Sequence, residues 1–349
     1  MKNTIFLFIT ISIALLFTAC EKAVLGTDLN NDPETNFEVF WQDFDQHYAL
    51  FGVKQIDWVN LYDQYRPQVT ATTTDDELWS IMTQMIEHLD DSHTFLLDLP
   101  TRTIYKSGHA LNNQATEEFD LDLIYNKYVT AIEDLTGDRA FSYGSIKDKD
   151  IGYIYLGAMD NTTDANQIDS VIKDLDQYQA IVFDIRNNRG GDDSFSTRIA
   201  SAFADGEHFV YTVQNRNGPD HNDFEAPRNY YTTIGDQVFL KPVILLTDRK
   251  TASAGETFGL YMKAFEHVLQ MGDTTAGDYS DTGNRRFLPN GWEYQYSIQK
   301  YLLPDGASLE GIGNIPDVYS KNTKANIEAG NDRVLEEAID YLRTQYNIQ

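Results

Sequence analysis

Two apolar runs, Ala180 to Ile185, broken only by Asp184, and Val243 to Thr247, constrain this chain most, because each leads into a turn of small residues and then a helix-like segment. A strand that is apolar at every position, rather than at every second one, must be covered on both faces. That is the condition of a parallel sheet held between helices. Helices from about Ser194 to Phe203 and from about Ser253 to Phe265, with a short strand at His267 to Met271, complete two strand–turn–helix units. The fold class predicted is therefore α/β. Alternating segments at Leu121 to Ile132 and Ile151 to Leu156 predict further strands. Pro289-Asn290-Gly291 predicts a turn between two more, and Val334 to Tyr346 a closing helix.

The first hundred residues have a different texture. Phe37, Phe40, Trp41, Phe44 and Tyr48 recur at three- and four-residue steps, as do Trp58, Leu61, Tyr62 and Tyr65 before Pro67. A third helix is expected from Asp75, with Thr74 and Glu77 spaced as a capping box, through Leu78, Ile81, Met82, Met85, Ile86 and Leu89. These stripes predict a small three-helix domain over residues 36–98, whose aromatic residues serve as core. Ahead of it, Lys2, the apolar run Ile5 to Phe17 and Thr18-Ala19 before Cys20 have the order of a bacterial signal peptide. The run is too short to remain as a spanning helix. Small residues before a cysteine resemble a lipobox, which makes 1–19 a lipoprotein signal peptide, Cys20 the lipid anchor and 20–35 a tether. The implied location is the cell envelope. Cys20 is the only cysteine, so no intramolecular disulfide can form. A net charge of -27 repels nucleic-acid phosphates and disfavours electrostatic docking on anionic lipid, leaving the lipid as the sole membrane attachment.

Four segments could carry chemistry. Asp184-Ile185-Arg186-Asn187-Asn188-Arg189-Gly190-Gly191 leaves a buried strand and ends in two glycines whose amides a ligand could approach, although such a turn can equally be a tight connection. Thr251-Ala252-Ser253-Ala254-Gly255-Glu256 puts a serine at a helix N-terminus, where developing negative charge is stabilised; a plain N-cap is the alternative. Leu89-Asp90-Asp91-Ser92-His93-Thr94 supplies an imidazole, with Ser92 beside it to fix the tautomer. Glu310 stands in the glycine-rich turn Leu309-Glu310-Gly311-Ile312-Gly313-Asn314-Ile315-Pro316-Asp317.

Taken in order, these four blocks resemble the tail-specific (C-terminal-processing) serine peptidases and, more narrowly, the tricorn core protease branch, over roughly residues 36 to 320. The resemblance implies a crotonase-like, ββα-spiral peptidase core across residues 99–349. It implies an acyl-enzyme route with Ser253 as nucleophile, His93 as base, Ser92 holding His93 and Glu310 holding Ser92, a Ser-His-Ser-Glu tetrad. Gly190 or Gly191, with Ala254, would line the oxyanion hole. Neither metal nor organic cofactor is called for, and the partner implied is a peptide or unfolded protein. Asp278 stands where the other branch carries a lysine base, which turns the assignment to His93. The fifty or so residues between His93 and Ile151 are too few for the PDZ insert of many relatives. Arg285-Arg286 could hold a carboxylate or simply be solvated. The rival expectation is a non-catalytic binding protein on the same fold, since proteins that carry apolar ligands also use it.

Overall fold

The computed structural model describes residues 29–108, 118–160, 163–283 and 285–349. The signal-peptide and Cys20 assignments lie outside the described residues, as does most of the tether.

Helix α1 (Pro33–His47) is capped by Asp32, whose carboxylate accepts from Thr35 N, and carries proline in its first turn. A one-turn helix α2 (Phe51–Lys54) and α3 (Trp58–Tyr65) follow. Helix α4 (Asp75–Glu87) begins with the expected capping box, Thr74 and Glu77 each bonding the other's backbone amide. The aromatic stripes converge as expected: Phe44 stacks on Trp58 at 5.5 Å. They do not close on themselves. Strands β1 (Phe95–Asp98) and β2 (Thr103–Lys106) join two strands from far down the chain in a four-stranded sheet, and Trp292, Tyr294 and Tyr296 complete the aromatic core. Tyr294 meets the ring of Phe40, and Trp292 that of Trp79.

Helix α5 (Leu121–Lys127) corrects the expected strand over Leu121 to Ile132; only the stretch after it, β3 (Val129–Asp134), is extended. Asp120 caps the helix by accepting from Leu123 N, and a short apolar run reads equally as either structure until a neighbour covers it. Strands β4 (Phe141–Ile146) and β5 (Ile151–Leu156), helix α6 (Gln167–Leu175), β6 (Ala180–Asp184) and α7 (Asp193–Ser201) come next. After β7 (Phe209–Asn215) and β8 (Arg228–Tyr231) the chain forms β9 (Val243–Thr247), α8 (Ala254–Lys263) and β10 (Val268–Gly272). The hairpin β11 (Arg286–Phe287) and β12 (Glu293–Gln295) turns at Pro289-Asn290-Gly291 and pairs with β1. Strands β13 (Gln299–Leu302) and β14 (Val318–Tyr319), then α9 (Lys324–Glu328) and α10 (Arg333–Tyr346), end the chain.

The central sheet runs β14-β10-β9-β6-β5-β4-β3, parallel from β14 to β5 and antiparallel beyond. Its two predicted strands are covered on both faces. Ile181 and Phe183 of β6, with Val243 and Leu245 of β9, pack into one core with Ile199 of α7 and Phe258 of α8. The alternate residues Ala180, Val182, Ile244 and Leu246 face a second core with Val334, Leu335, Ala338 and Leu342 of α10. Each such aliphatic side chain contributes about 1.5–3 kcal/mol on burial, so this sheet is the rigid element from which the loops at its carboxyl edge are hung.

Candidate active site

Three loops leave the carboxyl ends of adjacent parallel strands and are stitched into one unit. From β6, Asp184 and Arg186 form a buried pair, with Arg186 Nη2 2.6 Å from Asp184 Oδ2 and Nη1 2.9 Å from Asp332 Oδ1 at the start of α10. A guanidinium with both carboxylates at hydrogen-bond distance is satisfied although buried, and it ties this loop to the helix behind the sheet. Asn188 then bridges three segments. Its Nδ2 donates to Leu156 O at 2.8 Å, its Oδ1 accepts from Gly190 N at 2.8 Å, and its carbonyl accepts from Ala252 N at 2.9 Å.

Gly190 and Gly191 have φ of +89° and +142°. A Cβ on Gly190 would lie 2.7 Å from both Ala252 O and the Ser253 Cβ, and one on Gly191 would lie 2.1 Å from Met159 O. The two glycines are therefore required by close approach as well as by conformation. Because Gly190 N–H is spent on Asn188, it is not free for an oxyanion, which corrects the expectation that either glycine could serve. Among the described residues the amides of Gly191 and Ala254 have no acceptor.

Ser253 sits between β9 and α8 with φ +52° and ψ −124°, a conformation that L-residues rarely adopt and that costs on the order of 1–3 kcal/mol. Such strain at a strand-to-helix turn lifts the side chain out of the helix, as in a nucleophile elbow. Ser253 is also the N-cap residue of α8, so both readings of the serine meet in one position. The cap partner is Glu256, fully buried, whose Oε2 accepts from Ser253 N at 3.2 Å and from Asp278 N at 2.8 Å. Its Oε1 accepts from Thr275 Oγ1 at 2.5 Å and Gly277 N at 2.7 Å. Burial pushes the Glu256 carboxyl up to about 7, against the pull of these donors. Glu256 thus fastens the loop after β10 to the backbone of Ser253, a role its place three residues after the serine could have suggested.

The loop after β10 carries Asp278, and Asp278 changes the expected relay. Its Oδ1 lies 2.7 Å from His93 Nδ1, and its Oδ2 accepts the Ser92 hydroxyl. The tetrad expected from the sequence has Ser92 holding His93 and Glu310 holding Ser92; instead one carboxylate engages both residues directly. Glu310 turns elsewhere, accepting from Tyr279 N at 2.7 Å and pairing with Lys54 Nζ at 3.1 Å. The physical reason is reach: the buried Asp278 projects between the His93 loop and the Glu310 turn. Asp91, which no pattern in the sequence singles out, accepts from His93 N at 3.0 Å and from Thr94 Oγ1 at 3.0 Å, fixing the histidine's backbone.

The electrostatics follow from this crowding. Burial lowers the proton affinity of His93, but Asp278, then Asp91 and Glu310, override it and push the imidazole up to about 10. Asp278 is held below the usual carboxylate range, its burial outweighed by His93. Burial raises Glu310 to about 8 despite Lys54. The ring's Nδ1 faces Asp278, which leaves Nε2 as the nitrogen for a reacting hydroxyl. Ser253 and His93 share no hydrogen bond among the described residues; they are linked through Glu256 and Asp278. Asp91, His93 and Asp278 also bring one potential ligand atom each within 4.8 Å of one another, a grouping that could hold a metal ion.

A cleft of about 750 Å³ opens on Ser253, Gly190 and Gly191. Its walls include Asp160, Asp192, Asp193 and Asp281, against Arg228 as the one cation of the lining, with Tyr230 and Tyr301. His93 is outside this lining. Arg285 and Arg286 lie in ion pairs with Glu293 and Asp43.

This arrangement can be set beside known proteins. The Peptidase family S41 model matches residues 150–320, and the Tricorn protease C1 domain model matches residues 29–87. The crystal structure of a protein from Parabacteroides merdae ATCC 43184, assigned to the peptidases, is 30% identical; the match covers 90% of this chain and 97% of that one, with a TM-score of 0.81. The chain belongs to peptidase family S41. Among its curated relatives, the carboxyl-terminal-processing protease of Picosynechococcus sp. is 31% identical over 172 residues, 48% of this S41 chain and 38% of the relative. This chain thus spans well under half the length of that relative. The tricorn protease shares the fold at 16% identity and a TM-score of 0.56, over 89% of this chain and 36% of tricorn.

Proposed function

We propose that this S41 chain is a serine-type endopeptidase in which Ser253 attacks the scissile carbonyl, His93 takes the hydroxyl proton through Nε2, and Asp278 orients and charges the imidazole. The observation that carries the reading is the strained, glycine-flanked Ser253 at the mouth of α8, in a substrate-sized cleft and wired by Glu256 to the Asp278–His93 pair. Gly191 N and Ala254 N would receive the oxyanion, each worth about 3 kcal/mol in the transition state. The tetrahedral intermediate collapses when His93 returns the proton to the leaving amine; water then repeats the sequence on the acyl-enzyme. Ser92 and Glu310 act in this scheme by fixing Asp278 and its loop.

The substrate is a peptide or an unfolded protein. Cys20, behind an apolar leader, is the acylation site that would hold the enzyme on a membrane of the cell envelope; among the described residues no helix is long and apolar enough to cross one. A fluorophosphonate probe tests the chemistry, because only an activated serine reacts. Wild-type protein should label at Ser253 and cleave peptides, whereas Ser253→Ala and His93→Ala should do neither. Unchanged peptidase activity in either variant would sink the assignment. A protein that binds peptide without labelling would support the non-catalytic reading. Metabolic labelling with palmitate, lost in Cys20→Ser, tests the anchor.

A further inference from the structure

We propose that Lys54, supplied by the N-terminal helical layer, is a positioning residue of the peptidase centre, tying the Asp90–His93 loop to Glu310 so that docking of that layer sets the place of His93. The proposal rests on the reading of His93 as base. Lys54 ends the one-turn helix α2, immediately before Gln55 in a left-handed conformation, and Phe51 at the other end of that turn is buried against Trp58 and Tyr48. The backbone is therefore pinned, and the side chain leaves the aromatic core in one direction. Its ammonium donates to Asp90 O at 2.7 Å and lies 3.1 Å from Glu310 Oε1. The side chains of Lys54 and Glu310 are 9% and 2% exposed, so this is a desolvated pair.

Each partner leads to the base by a short covalent or hydrogen-bonded path. Asp90, at φ +46°, is the entry to Asp91-Ser92-His93. Glu310 accepts from Tyr279 N, the residue after Asp278. One cation thus holds both sides of the His93 cradle. Its neighbours explain why a cation is needed: Asp91, Asp278 and Glu310 all act on the imidazole, the buried Tyr48 phenol adds no positive charge beside them, and Lys54 is the positive group set against them. A buried ion pair is seldom the most stable choice, since a well-packed apolar pair does as well or better. Lys54–Glu310 is therefore better explained by the catalytic loop it organises than by what it adds to the fold.

The test uses the full chain with Lys54→Met, Lys54→Arg and, as a smaller disturbance, Glu310→Gln. Two readouts are taken on folded protein, its state checked by thermal melting: the NMR titration of the His93 imidazole, and the pH profile of kcat and KM on a peptide. In Lys54→Met the loss of a nearby positive charge should favour the imidazolium, moving the His93 titration and the acid limb of the profile to higher pH. Displacement of the loop should lower kcat about 10- to 100-fold with KM within about threefold. Lys54→Arg should recover most of both. A lower melting temperature with an unmoved His93 titration and wild-type kcat would make Lys54 merely structural and overturn the proposal. If Lys54→Met does not fold, Glu310→Gln decides between the same two outcomes, and a wild-type kcat in it overturns the proposal. Failure of the serine reading is distinguishable, because then wild type neither labels nor cleaves, while the NMR titration still reports on Lys54.

Discussion

Replacing Asp278 with asparagine separates the two things this carboxylate does to His93. The side chain keeps its shape and retains an oxygen for the Ser92 hydroxyl, but the negative charge 2.7 Å from Nδ1 is gone. Raising an imidazole from 6.5 to about 10 corresponds to roughly 5 kcal/mol in favour of the protonated form, at about 1.4 kcal/mol per pH unit. Asp278 is the largest favourable contributor, with Asp91 and Glu310 behind it, and burial acts the other way. A single opposite charge at this distance typically accounts for about 1–3 pH units, so the imidazole of Asp278→Asn should titrate lower by about that amount. For a base, the direction is decisive. Wild-type kcat/KM should climb toward alkaline pH, because His93 must lose its proton before it can accept one from Ser253. In the variant the acid limb should move down in pH by about 1–3 units, while the plateau falls about 10²- to 10⁴-fold because the imidazolium formed during attack loses its counter-charge. The assay is kcat/KM on an internally quenched peptide from about pH 5 to about pH 10.5, with folding verified at each pH, since breaking a buried pair costs about 3–5 kcal/mol. An unmoved limb in a folded variant, or a wild-type enzyme already at its plateau by about pH 6, would refute the reasoning.

Further outcomes follow from the same groups. Gly191→Ala should abolish activity and destabilise the fold by at least about 2 kcal/mol, since its methyl would sit 2.1 Å from Met159 O; an active, wild-type-stable variant in urea denaturation would contradict the close approach. His93 and Glu256 both hold their protons more tightly folded than unfolded, so the stability they confer is complete at low pH. It is lost as pH rises from 4.5 through about 7 for the carboxyl, and from 6.5 through about 10 for the imidazole. Urea midpoints should therefore fall from about pH 6 to about pH 9, by at least about 3 kcal/mol in unfolding free energy, and a rise would count against the assignment. Four carboxylates against one arginine in the cleft should make peptides with lysine or arginine near the cut better substrates than those with aspartate or glutamate, by about tenfold or more at low salt and less at about 1 M salt. Equal rates for the two peptide sets would show that these carboxylates do not face the substrate.

What the sequence determined by itself was everything set by local patterning. The doubly apolar strands at Ala180 and Val243 could only be central, the Thr74/Glu77 box starts its helix where expected, and Ser253 falls at a strand-to-helix turn because small residues and a helix follow it. These features are dictated within a few residues, by solvent and by the backbone. Where local pattern was ambiguous, as at Leu121, the covering neighbour decided between helix and strand. The relay around His93 was not legible, since it joins positions 54, 92, 93, 256, 278 and 310, whose proximity depends on how the helical layer docks against the parallel sheet. Asp278 could be seen in the sequence only as a departure from a lysine, and Lys54 carried no signal at all. A carboxylate's partner is chosen by distance and desolvation, and both exist only once the tertiary fold has brought the loops together.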